Sequence, residues 1–227
     1  KRRLVRLNIL IPAYKPDDRL IQLTRELKEE KLDVLLVDDG GQKPFAPIFE
    51  QCRALGAEIA VHAVNQGKGR ALKTGLNAAL NIWPDLSGVV TADADGQHTL
   101  RDILRIIEAM REHPNALVLG SREFTGDVPF KSRWGNRITR FVYALASGVH
   151  VSDTQTGLRG LPACAIPAMI TIDGERYEYE MNVLLKLRDM KLGVVEVPIE
   201  TIYIDDNSGS HFNPVRDAIR IYAVIFK

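Results

Sequence analysis

Ser87-Gly-Val-Val-Thr-Ala-Asp-Ala-Asp-Gly-Gln-His98 decides the fold: an apolar run stops abruptly in two carboxylates, Asp93 and Asp95. Gly88–Ala92 has the composition of a short buried strand, Gly96 supplies a turn, and Gln97 offers a neutral oxygen. An acid-x-acid pair directly after a strand presents hard oxygen ligands at the carboxyl edge of a sheet, where open α/β folds bind their ligands. Such an incomplete oxygen set suits Mg²⁺ or Mn²⁺, which complete their shells with water and substrate phosphate. The same aspartates would also serve as caps for a helix starting near Leu100, so the stretch alone leaves both roles open.

Outward from that strand, short apolar runs alternate with stretches of helical period. Leu7–Ile11, Val34–Val37, Glu58–His62, Gly88–Ala92 and Leu117–Gly120 read as strands. Asp17–Glu30, Pro44–Leu55, Lys68–Asn81 and Leu100–Glu112 read as the helices between them; Phe45, Ile48, Phe49, Cys52 and Leu55 share one helical face. This β-α-β-α order predicts an α/β fold, a mostly parallel sheet with helices on both faces. After residue 122 the rhythm changes to an amphipathic helix, a polar loop, another helix and a long strand at Val194–Ile204. The expectation is a single domain over 1–227, with a nucleotide-binding half (1–122) and an acceptor half (123–227).

Composition narrows the class. With 227 residues, 45% hydrophobic and 26% charged, the chain is that of an ordinary globular domain with a sizeable core. A net charge of +1 gives no global attraction to nucleic acid. Cys52 and Cys164 are far apart and lack metal spacing, which fits a reducing compartment. No apolar run reaches the ~18 residues of a membrane span. Lys1, Arg2, Arg3 and Arg6 cluster at one end, and the other stops within the apolar Ile219–Lys227. That last segment reads either as a final helix on the core or as the beginning of a trimmed membrane region.

Several further groups carry chemistry. Ile11-Pro-Ala-Tyr14 ends the first strand, where Pro12, Ala13 and Tyr14 can form an apolar ledge for a base. Val37-Asp-Asp-Gly-Gly41 ends the second; Asp38 can accept a base N–H, although Asp-Asp-Gly is also ordinary turn chemistry. Asn65-Gln-Gly-Lys-Gly-Arg70 opens the third helix, where glycines permit a phosphate to approach the backbone and Lys68 adds charge; a plain Gly-rich turn is the alternative. Arg133, Arg137 and Arg140 lie beside Trp134, Ile138, Phe141 and Leu145, the pattern of a helix in a membrane interface or of a packed helix with a solvated edge. In Asp153-Thr-Gln-Thr-Gly-Leu-Arg159, the Arg159 fork beside Thr154 and Thr156 is suited to a phosphate.

In this order the motifs resemble family 2 glycosyltransferases of the GT-A fold, and among them the polyprenyl-phosphate sugar synthases. The resemblance runs from Ile11-Pro-Ala-Tyr through Val37-Asp-Asp-Gly, Asn65-x-Gly-Lys-Gly, Asp93-Ala-Asp-Gly-Gln-His and Asp153-Thr-Gln-Thr-Gly-x-Arg to Ser210-His-Phe. It implies that Pro12, Ala13, Tyr14 and Asp38 hold base and ribose. Asn65, Lys68, Asp93 and Ala94 would complete the nucleotide site, with Asp95 and Gln97 on Mg²⁺ or Mn²⁺. Asp95, Arg122, Asp153 and Arg159 become the catalytic candidates. Arg133, Arg137, Thr154, Thr156, Arg159, Ser210 and His211 become the acceptor contacts. The chain departs from the pattern at Lys15, where related synthases often carry an acid, at Gly41 in place of Ser, and at Ser210-His211 in place of Ser-Lys.

The resemblance further implies an inverting transfer from a nucleotide-sugar donor, UDP-linked before GDP-linked, to a polyprenyl phosphate. The setting would be the cytoplasmic face of a membrane, with copies associating through a membrane region beyond this chain. Transfer to a sugar hydroxyl is the rival, and it needs a general base, for which Asp153 or Glu180 would serve. A nucleotide-sugar-binding module without turnover is a third reading. No Gly-x-Gly-x-x-Gly follows the first strand, which disfavours a dinucleotide dehydrogenase.

Overall fold

The fold was taken from a computed structural model, which describes residues 6–122, 152–154 and 156–200. The first half contains β1 (Leu7–Ala13), α1 (Asp18–Glu29), β2 (Asp33–Asp38), α2 (Ala46–Ala54) and β3 (Glu58–Val61). It continues with α3 (Lys68–Ile82), β4 (Gly88–Thr91), α4 (Leu100–Glu112) and β5 (Ala116–Arg122). Later come β6 (Arg159–Pro162), α5 (Ile166–Ile170), α6 (Glu178–Leu185) and β7 (Gly193–Ile199).

The strands form one seven-stranded sheet in the order β3-β2-β1-β4-β6-β5-β7. The first four are mutually parallel, β5 pairs parallel with β7, and β6 runs antiparallel between β4 and β5. Ile9, Leu10 and Ile11 of β1 are buried on both faces, as a central parallel strand requires. Each such side chain contributes about 1.5–3 kcal/mol through burial. One apolar layer joins the sheet to α3, α5 and α6 through residues such as Leu72, Leu76, Met169 and Leu184. The other joins it to α1, α2 and α4 through Leu20, Leu27, Cys52, Ile103 and Ile106.

The strand order reverses at β1, which has β2 on one side and β4 on the other. At such a switch point the connections leave to opposite faces, and a crevice opens beyond the carboxyl ends of the strands. Ala13 stands opposite Asp38 in register, so the ends of β1 and β2 meet there.

Most predicted elements match within a residue or two. The last strand is Gly193–Ile199, shorter than the expected Val194–Ile204, whose tail from residue 201 lies outside the described residues. Lys131–Leu145, with Arg133 and Arg137, and the Ser210-His211 segment also lie outside them. Strand β6, from the second half of the chain, inserts between β4 and β5 of the first half, so one sheet draws on both. No helix among the described residues is long and apolar enough to cross a membrane.

Candidate active site

A cavity of about 420 Å³ fills the crevice at the switch point. Pro12, Ala13 and Tyr14 enter it from the end of β1, and Asp93, Ala94 and Asp95 from the end of β4. Asn65, Gly67 and Lys68 enter from the start of α3. Arg176 and Tyr177, just before α6, close another side. Every residue expected at the nucleotide except Asp38 therefore lines one cavity.

Asp93 and Asp95 do not cap α4. Thr99 does so: its hydroxyl accepts the Asp102 N–H at 3.1 Å and donates to Asp102 Oδ2 at 3.0 Å, a reciprocal cap. The two aspartates are left for the cavity. Asp93 Oδ1 lies 2.7 Å from Lys68 Nζ, which also pairs with Glu180 at 3.0 Å. The Asp93 N–H donates to His98 Nδ1 at 2.9 Å, which anchors the turn from behind.

Electrostatics separates these neighbours. Burial alone would raise the Asp93 carboxyl, but Lys68, then His98 and Arg122, hold it down to about 2. Asp95 moves the other way, raised by burial and by the negative charge of Asp93. Burial lowers His98, against the attraction of the two carboxylates. Lys68 has its desolvation overcome by Asp93 and Glu180 and stays charged.

Among the described residues no protein cation pairs with Asp95, whose Oδ1 accepts the Gln97 N–H at 3.1 Å. A half-buried carboxylate beside another carboxylate, with no ion-pair partner among the described residues, is chemically fitted to a divalent cation. No group of three or more His, Cys, Asp or Glu is arranged around a metal among the described residues. Asp95 suits an ion that takes its remaining oxygens from water and substrate, whereas Gln97, the other expected ligand, does not line the cavity.

The end of β2 corrects the sequence reading. Asp38 is a turn residue, its Oδ1 accepting the Gly41 N–H at 2.7 Å, and it stands at the strand edge beside Ala13 without lining the cavity. Asp39 lines the cavity and is 3% exposed. The glycines before α3 also do something other than expected. The Gln66 and Gly67 N–H groups are taken up by the Asp39 carboxylate. Gly67 has φ +105, and a Cβ there would lie 2.5 Å from the Glu175 carbonyl oxygen. These glycines admit the Glu175–Tyr177 segment to the α3 terminus; a phosphate is not needed to explain them.

The Asp153–Arg159 loop reaches the site but not as a phosphate grip. Arg159 is 3% exposed and donates to the carbonyls of Thr156 (2.9 Å), Glu180 (2.7 Å) and Thr154 (3.2 Å). Its guanidinium is thus a strut joining the loop to α6, which displaces the expected acceptor contact. The Thr154 and Thr156 side chains are buried, and the Thr156 hydroxyl accepts the Leu158 N–H at 3.2 Å. Asp153 is fully buried and forks onto Arg122 at 2.6 and 3.1 Å. Gly157 packs on Asp93 so closely that a Cβ would lie 2.3 Å from Asp93 Oδ2. The loop therefore supports the Asp93 turn.

Arg176 and Tyr177 were not legible as cavity residues. Glu175-Arg-Tyr-Glu-Tyr-Glu reads as an acidic helix start, and only the fold of α6 against α3 brings it over the crevice. The Glu175 carbonyl accepting the Arg70 N–H at 2.9 Å fixes that contact.

A doubly wound sheet with a carboxylate pair and a lysine at its switch point is an α/β architecture of the GT-A kind. Residues 8–180 match the family described as glycosyl transferase family 2, and the chain belongs to that family. A UDP-N-acetylglucosamine–dolichyl-phosphate N-acetylglucosaminyltransferase of Methanococcus voltae is 30% identical, over 87% of this chain and 86% of that one. A polyprenol monophosphomannose synthase of Mycolicibacterium smegmatis is 25% identical, over 84% and 75%. Among solved structures, glucosyl-3-phosphoglycerate synthase from Mycobacterium tuberculosis, in complex with Mn²⁺, UDP and glucosyl-3-phosphoglycerate, superimposes with TM-score 0.69 at 15% identity, covering 98% of this chain and 80% of that chain. That likeness concerns the fold. The protein is a glycosyltransferase.

Proposed function

We propose that this glycosyltransferase moves a sugar from a nucleotide diphosphate, UDP-linked in the first instance, to the phosphate of a polyprenyl phosphate. The observation that carries the reading is the division of labour between Asp93, neutralised by Lys68, and Asp95, left without a protein cation in the same cavity. Pro12, Ala13 and Tyr14 form the ledge for the base, with Asp38 at the strand edge beside them. Asn65, Lys68 and Ala94 border the ribose and diphosphate. Asp95 and Gln97 would hold Mg²⁺ or Mn²⁺, which would supply positive charge to the departing diphosphate.

A phosphate monoester has a second pKa of about 6, so the acceptor arrives as an anion near neutral pH and needs no strong base. Its oxygen forms the new bond to the anomeric carbon as the bond to the diphosphate breaks, with the electron pair leaving on the nucleoside diphosphate. Attack from the face opposite the leaving group inverts the centre. The protein's part is placement and fixed charge: Lys68 keeps Asp93 ionised, and Arg122 adds positive potential beside it. Transfer to a hydroxyl would require a carboxylate available as base. Asp153 is forked onto Arg122 and Glu180 is held by Lys68, which favours the phosphate acceptor.

The names of the polyprenyl-phosphate relatives support this acceptor, and work at the cytoplasmic face of a membrane is part of the same proposal. The second half of the chain, residues 123–227, would carry the acceptor side, with Arg133, Arg137, Ser210 and His211 toward the lipid phosphate and copies associating through a membrane region. Titration calorimetry with UDP checks the donor and metal assignment together. Mn²⁺ should tighten UDP binding to the wild type by about tenfold or more and leave Asp95→Asn unaffected. Equal UDP affinity in Mn²⁺ and in excess chelator would contradict the assignment.

A further inference from the structure

From Asp39 at the cavity wall a buried polar chain runs to α3, and the transfer reaction itself does not use it. Asp39 accepts four hydrogen bonds: Oδ1 from His62 Nδ1 (2.7 Å) and the Gln66 N–H (2.8 Å), Oδ2 from Asn65 Nδ2 and the Gly67 N–H (both 2.8 Å). A carboxylate offers about four lone-pair sites, so Asp39 is saturated and has none for a ligand. His62 is 8% exposed, and its other nitrogen, Nε2, meets the Thr74 hydroxyl on α3 at 2.9 Å. The segment it secures is confined from below as well. Gly40 has φ +74, and a Cβ there would lie 2.3 Å from the Val64 carbonyl carbon and 2.4 Å from the Asn65 nitrogen.

We propose that His62 is a positioning residue for the donor cavity: through Asp39 it locks the Asn65–Gly67 segment and thereby places Asn65 and Lys68. The ring spans two anchors, the body of α3 at Thr74 and the carboxylate at the end of β2, and this fixes the entry to α3 between them. Asp39 receives no other side-chain donor than His62 and Asn65 among the described residues, and Asn65 is itself on the segment being held. Besides the Asp39 main-chain N–H, which donates to the Ala13 carbonyl at 2.9 Å, His62 is thus, among the described residues, the one side chain outside that segment that holds the Asp39 carboxylate. The consequence for ligand binding rests on the nucleotide reading of the cavity; the consequence for the segment does not.

Two isosteric variants separate the bonds. In His62→Asn the amide nitrogen falls near the position of Nδ1 and keeps the bond to Asp39. In His62→Gln the amide falls near Nε2 and keeps only Thr74. Hydrogen exchange at the Gln66 and Gly67 amides reads the lock directly, and UDP calorimetry with Mn²⁺ reads its effect on the cavity. The expected result is exchange at both amides about tenfold or more faster in His62→Gln and within threefold of wild type in His62→Asn. UDP affinity should fall about tenfold in the Gln variant, with the Asn variant close to wild type. Equal exchange in both variants, whether unchanged or equally accelerated, overturns the proposal, since the ring would then act by packing. If the wild type binds no nucleotide, the reading of the cavity fails while exchange at the two amides still decides the role of His62.

Discussion

Arg159 shows how a residue's role is set by what surrounds its guanidinium. A planar fork beside two threonines suits a phosphate, yet here each arm meets a main-chain carbonyl, and Glu180 Oε1 lies 3.8 Å from Nε. A buried carbonyl left without a donor costs about 1–3 kcal/mol, so the strut stabilises the loop and α6 together. Arg159→Lys keeps the charge but cannot reach three divergent carbonyls. It should lose about 2 kcal/mol, lowering Tm by about 4–8 °C for a chain of this size, with activity falling in step. Thermal denaturation beside a turnover assay checks this; a variant with wild-type Tm and impaired transfer would restore the phosphate role.

At the scale of elements, the cavity depends on α6 lying against the start of α3, and Glu175 bonds that contact. Its carboxylate pairs with Lys73 at 2.8 Å and with Arg70. Burial opposes ionisation, but the hydrogen bonds from Lys73 and Arg70 prevail and hold the Glu175 carboxyl below its usual value. A carboxyl lowered by folding adds stability above the unfolded pKa, about 4.3 for Glu, and loses it as pH falls through the folded value. Glu175→Gln should therefore be less stable than wild type near pH 7, and the difference should close as pH drops below about 4. Urea denaturation across that range tests it; a difference independent of pH would mean that the pair adds nothing through charge. Glu175 and Arg70 are half exposed although Lys73 is buried, so the effect will be modest and screened by salt.

In the whole molecule, the parts legible in the sequence were those written in local pattern. The apolar runs of β1, β2 and β4 and the turn chemistry after them placed Pro12–Tyr14 and Asp93–Asp95 at one sheet edge, and the fold brought them into one cavity. What escaped was set by tertiary contact. Asp38 and Asp39 are indistinguishable in a chain, and only the packing of the Asn65–Gly67 segment turns one into the hub. Arg176 and Tyr177 reach the cavity because α6 docks on α3, a contact between residues far apart in sequence. Thr154, Thr156 and Arg159 looked polar enough to bind a ligand because the carbonyls that Arg159 satisfies, and the burial of both threonines, are invisible at that level. The central claim, that the enzyme glycosylates a lipid phosphate through a metal at Asp95, has a direct measurement: label transfer from a radiolabelled UDP-sugar panel into organic-extractable product. The account predicts label in the lipid phase only with polyprenyl phosphate and Mg²⁺ or Mn²⁺ present, and a loss of at least about 100-fold in Asp95→Asn with its fold intact. Undiminished transfer in excess chelator, or transfer to free sugar hydroxyls and not to the lipid, would contradict it.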